Sequence, residues 1–181
     1  MLIEGLYAEQ LQTAAIETLK AARTLAGDSV FEAKDWPTDP SLFPMLLVHI
    51  PRERKQGVGP GVPQFNTTFT LAVIGRAVAN GAGSRSLEDV VRQLTTQIEN
   101  ALLCTPDFVA PIQRFVSIEV TTAVTTDGGQ PIAEVGFVAE IEIWQVYAPD
   151  TGEPLRGVEM DLINADGGQT LAVTKVNLTP P

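Results

Sequence analysis

Residues 114–146 read RFVSIEVTTAVTTDGGQPIAEVGFVAEIEIWQV, and this stretch decides the fold class. Val116, Ile118, Val120, Thr122 and Val124 recur at every second position before Asp127-Gly128-Gly129-Gln130. Val135, Phe137, Ala139, Ile141 and Ile143 do the same after it. A period of two belongs to a strand with one covered face. With the four turn residues as the loop, Thr126 faces Pro131. Ile118 then opposes Ala139, Val120 opposes Phe137, and Val116 opposes Ile141. Both apolar sets share one face, as a hairpin lying on a core requires. The other face collects Glu119, Glu134, Glu140 and Glu142 as an acidic ribbon.

Upstream of the hairpin the period is 3.6. Leu87, Val90, Val91, Leu94, Ile98, Ala101 and Leu102 form one apolar helical face. Ser86 stands as N-cap with Asp89 three residues on, and Thr105-Pro106 ends the helix. A first helix is expected over Tyr7–Ala26, with Leu11, Ala15, Thr18, Ala22 and Leu25 inward and Gly27 as its C′ residue. Between the helices, Ser29–Ala33 is β-prone, and DWPTDPSLFP (residues 35–44) is a proline-punctuated turn. Met45–Ile50 reads as a strand covered on both faces, and Gln64–Val78 as another strand.

The intervening PRERKQGVGPGVP, residues 51–63, has three glycines, three prolines and four charges. It is expected to be a long mobile loop, ordered only on contact with a partner. It carries the basic cluster Arg52, Arg54 and Lys55, placed to meet an acidic partner. From Ala148 the texture changes. APDTGEP is a linker, and residues 155–178 form a weaker hairpin around a second Asp-Gly-Gly-Gln. That arm either packs on its own domain or adds to a neighbouring subunit. The expected architecture is α+β: a mixed, mostly antiparallel sheet with two helices packed on it, over 1–147, plus a C-terminal β-hairpin arm, 148–181.

Composition narrows the function classes. The chain has 181 residues, 44% of them hydrophobic and 19% charged, which is the composition of a packed domain. A net charge of −10 disfavours binding to nucleic-acid phosphates. One cysteine and one histidine provide neither an internal disulfide nor a Cys/His metal cage. His49 reads as a satisfied strand-end histidine, and Cys104 as a small buried hydrophobe. The glycines of 57–61 and 80–86 lack the spacing of a phosphate loop, and Pro60 removes an N–H that such a loop would use. No cofactor is expected. The N-terminus MLIEGLYAEQ has no basic stretch before an apolar run, and no segment is apolar enough to span a membrane. The expectation is therefore a protein that stays in a reducing cytoplasm, without membrane contact.

Five stretches carry a family resemblance: LQTAAIETLKAA, the Asp35-Trp36-Pro37 turn leading to FPMLLVHI, QFNTTFTLAVIGRAV, SLEDVVRQLTTQIENALL, and the closing RFVSIEVTTAV with AEVGFVAEIEIWQVY. In their order and texture, residues 1–147 resemble the bacteriophage tail terminator (tail completion) family. The resemblance implies a non-enzymatic virion structural protein of the tail or neck, assembled in the host cytoplasm. It implies a hexameric ring that caps the tail tube, ends its polymerisation and meets the head-side connector or stopper protein. Genomic DNA passes through such a ring without specific binding. No catalytic residue carries over. On this reading Arg52, Arg54 and Lys55 belong to a subunit or tube interface, and Glu119, Glu134, Glu140 and Glu142 face the lumen or a neighbouring subunit. The competing readings are another neck, connector or tail tube component, a small carboxylate-dependent enzyme, and a generic interaction module.

Overall fold

The computed structural model describes residues 7–32, 42–61, 63–78, 87–127, 130–147, 157–163 and 170–177. The elements are α1 (Ala8–Ala21), β1 (Val30–Glu32), β2 (Met45–Gly57), β3 (Gln64–Val78), α2 (Leu87–Cys104), α3 (Pro106–Val109), β4 (Arg114–Asp127), β5 (Gln130–Val146), β6 (Gly157–Ile163) and β7 (Thr170–Asn177). Strands β1 to β5 form one sheet in the order β1-β2-β3-β5-β4, while β6 and β7 form a separate two-stranded sheet among the described residues. β1 runs parallel to β2 and every other neighbour is antiparallel. The class is α+β with a mixed, mostly antiparallel sheet, and three helices are packed on it where two were expected. The chain divides into two compact units, Met1–Tyr147 and Ala148–Pro181.

The core lies between the helices and one face of the sheet. Leu11, Ala15 and Leu19 of α1, the α2 side chains Val91, Leu94, Ile98 and Leu102, and Phe108 of α3 meet Leu46, Val48, Phe69, Leu71, Val73, Val135, Phe137, Ala139 and Ile141. The largest of these are fully buried, each stabilising the fold by about 1.5–3 kcal/mol over an exposed position. α2 also holds the turn that follows α1: the Leu25 N–H donates to Gln97 Oε1 at 2.8 Å.

The hairpin keeps the expected register from Ile118↔Ala139 through Val120↔Phe137 to Thr126↔Pro131. The register then shifts between Phe115 and Ser117, so Phe115, not Val116, opposes Ile141. A β-bulge inserts one unpaired residue and reverses the inside–outside alternation beyond it. β2 differs more. Residues 51–57 are strand, not mobile loop: Arg52 pairs with Thr70 and the ladder continues to Gly57↔Phe65. A second bulge lies between His49 and Arg52. It contains Pro51, whose missing N–H is tolerated where the ladder is already interrupted. Of the described residues in this stretch, 58–61 and Pro63 lie outside the strands.

α1 ends at Ala21, earlier than expected, because Arg23 takes the left-handed conformation (φ +48°) that closes a helix. Gly27 has φ +54° in the turn beyond. Leu19 is therefore the third inward residue, and Ala22 is exposed. Ser86 and the turn around Trp36 lie outside the described residues.

Candidate surface for assembly

The sheet face away from the helices divides into two parts. At one end Met45 and Leu47 are fully buried and Ala72 nearly so, which fits the expectation of a strand covered on both faces. Beyond the two bulges the same face opens and becomes charged. The ladders place Arg52, Thr70, Glu140 and Ser117 side by side, and Arg54, Thr68, Glu142 and Arg114 in the next row. These eight positions, with Val116 substituting for Ser117, line an open cleft of about 230 Å³. The following row is Gln56, Asn66 and Trp144, and Trp144 is half exposed.

The acidic side chains are not alone there. Arg114 Nη2 donates to Glu142 Oε2 at 3.0 Å. The Ser117 hydroxyl donates to Glu140 Oε2 at 3.2 Å. Arg76 Nε donates to Glu134 Oε2 at 2.9 Å, farther along the face. Glu119 occupies the same face opposite Val138, and is exposed. The expected ribbon of four glutamates thus exists as a shared face, but arginines interleave it. Each of the two ion pairs lies at or near the surface and contributes on the order of 0.2–1 kcal/mol, so the importance of the pattern is the field it presents, more than stability.

The basic cluster is split. Successive strand residues point to opposite faces, so Arg52 and Arg54 share the open face while Lys55 lies on the helix side. Lys55 Nζ sits 2.8 Å from Glu53 Oε1 and 5.1 Å from the Tyr147 ring centroid. Its hydrogen bond to Glu53, then that to Tyr147, raises its pKa above the usual lysine value, so it is charged at neutral pH. Tyr147 also meets the Tyr7 and Phe65 rings edge-on. Beneath it the Thr67 hydroxyl donates to Gln145 Oε1 at 2.7 Å in the buried interior. Lys55 is therefore engaged within the subunit, whereas Arg52 and Arg54 have no ion-pair partner among the described residues.

Sequence reasoning missed Arg114, Arg76 and Trp144 as members of this face. Arg114 and Trp144 flank the acidic alternation in the sequence, but the β4 bulge decides which side Arg114 takes. Two expectations about isolated residues also change. Cys104 is exposed at the end of α2, where the helix leaves the core. His49 Nδ1 is buried beside the β2 bulge with no hydrogen-bond partner among the described residues. No group of three His, Cys, Asp or Glu side chains capable of holding a metal occurs among the described residues. No described helix is long and apolar enough to cross a membrane.

β4 is an edge strand, and its second side has no partner among the described residues. Val116, Ile118 and Val124 on it are exposed. An open groove of about 490 Å³ runs between β4 and α2, lined by Val91, Thr95, Val120 and Val124 among others. Natural proteins rarely leave so long an edge uncovered, because it offers a ready template for another strand.

No protein-family model matches the chain, and no curated protein matches it. Among solved structures it is similar to a chain from the virion of a native gene transfer agent particle. That similarity has a TM-score of 0.40 and 15% identity, over 73% of this chain and 94% of the other.

Proposed function

We propose that the protein is a non-enzymatic structural component of a virion that forms a ring, six subunits in the family it resembles, on the end of a tail tube. There it stops tube polymerisation and provides the seat for the head-side connector or stopper protein. The observation that carries this reading is the one-sided helical cover. It leaves a charged sheet face and a 14-residue edge strand open in the same unit. A closed ring needs two different complementary surfaces on each copy, and an open edge and an open face provide two. The layout of residues 1–147, described above from the sequence, supplies the tail-terminator part of the reading. Residues Arg52 and Arg54 then belong to a contact surface, and Glu119, Glu134, Glu140 and Glu142 face the lumen or a neighbouring copy.

Negative-stain microscopy of the purified protein mixed with tail tubes tests the proposal. Rings of fixed subunit number at tube ends, with tube length held constant, are the expected result. Tubes that elongate unchanged in its presence refute it. Reversal of two charges of this face, the exposed Glu119→Arg with the half-buried Glu134→Arg, is expected to lower infectious titre by at least tenfold through failed assembly or DNA passage. An unchanged titre removes these glutamates from the lumen or interface.

A further inference from the structure

We propose that the open charged end of the sheet is a self-complementary surface on which a second copy of this chain docks, face to face, about a two-fold axis parallel to β3. β2 and β5 flank β3 on either side, each about 4.8 Å away. A two-fold axis along β3 exchanges these flanks while keeping each residue at its level along the strand. Arg52 and Glu140 both pair with Thr70, so they share one level. Arg54 and Glu142 both pair with Thr68 at the next. The operation therefore sets Arg52 and Arg54 of each copy over Glu140 and Glu142 of the other. It also brings the half-exposed Trp144 over Gln56, one level farther on, and withdraws it from water.

Charge argues for a second copy over an unrelated partner. The chain carries a net −10, so most approaches of one copy to another are repulsive. This end of the face is balanced, with Arg52, Arg54 and Arg114 against Glu119, Glu140 and Glu142, and its signs alternate across the strands. Like-charge juxtaposition disfavours wrong alignments and fixes the register of the pair. Trp and Arg are also the side chains most enriched at the energetic centres of interfaces.

The test uses the full chain in sedimentation equilibrium. Wild-type protein is expected at twice the mass of either Arg52→Glu or Glu140→Arg, since each single reversal sets like charges over one another at two symmetric places. Mixing the two variants in equal amounts restores the doubled mass, because each reversed position then meets an opposite charge. Trp144→Ala is expected to halve the mass without altering any charge. Equal masses for wild type and Arg52→Glu overturn the proposal, and so does a mixture that stays at the single mass. A wild-type chain that pairs only with an acidic protein of the tail also overturns it. The pair is the form of the free chain, and it separates before the same face meets a neighbour in the ring. Pairing is read by mass and tube capping by microscopy, so either reading can fail while the other stands.

Discussion

Phe137→Ala is expected to lower the free energy of unfolding by about 3–5 kcal/mol, the largest effect of any single truncation considered for this protein. Phe137 is on β5, between β3 and β4, with its ring wholly withdrawn from water beneath the helices. Removal of the ring takes away its transfer free energy and leaves a cavity. The close-packed neighbours Val73, opposite on β3, and Val120, opposite on β4, are held by ladders on both sides and collapse into it only partly. Urea denaturation followed by far-UV circular dichroism measures the loss. Trp144→Ala on the same strand is the control. Its side chain is half exposed on the other face, and at protein concentrations where the chain is a monomer the change is expected to shift stability by no more than about 0.5 kcal/mol. Equal losses for the two substitutions contradict the assignment of the faces.

Gly75→Val is expected to destabilise the fold by about 1–3 kcal/mol through overpacking. Gly75 pairs with Leu46 on one side and Val135 on the other, at the middle of the sheet. A Cβ placed there comes within 2.7 Å of Leu94 Cδ2 and 3.2 Å of Leu46 Cδ2. Both leucines are buried, so neither side chain has open space to enter. The absence of a side chain lets α2 lie close on β3, and a branched residue pushes the helix away from the sheet. The substitution also favours strand backbone intrinsically, so a measured gain in stability assigns the position to propensity and against close approach. Thermal unfolding distinguishes the two signs.

Both predictions bear on how the fold is encoded. The α2 face and the β4–β5 hairpin are visible in the sequence because each is long enough for its period to be counted. Their registers follow from which residues must share a covered face. Nothing in QFNTTFTLAVIGRAV distinguishes Gly75 as a packing position, since the helix that needs the space comes from residues 87–104. The stretch 51–57 was illegible for a related reason. Its polar and charged residues read as loop because no apolar alternation marks them, yet the β3 ladder supplies hydrogen bonds that hold them as strand. The early end of α1 depends on Arg23 adopting a conformation that glycine more often takes, so the nearby Gly27 drew the expected boundary too far.

The sequence by itself determined that this protein is an α+β domain built on an alternating hairpin, with glutamates gathered on one face of that hairpin. Period and register require no more than that one face be dry. Only the tertiary structure decided what the glutamates meet. Two bulges, one between His49 and Arg52 and one between Phe115 and Ser117, each reverse the alternation of a strand. They turn Arg52, Arg54 and Arg114 out onto the same face as Glu140 and Glu142, and turn Lys55 away to Glu53 and Tyr147. A bulge shifts a side chain to the other face by adding one residue, and whether it forms depends on the neighbouring strand. The acidic ribbon of the sequence is for that reason a charge-balanced surface in the folded protein.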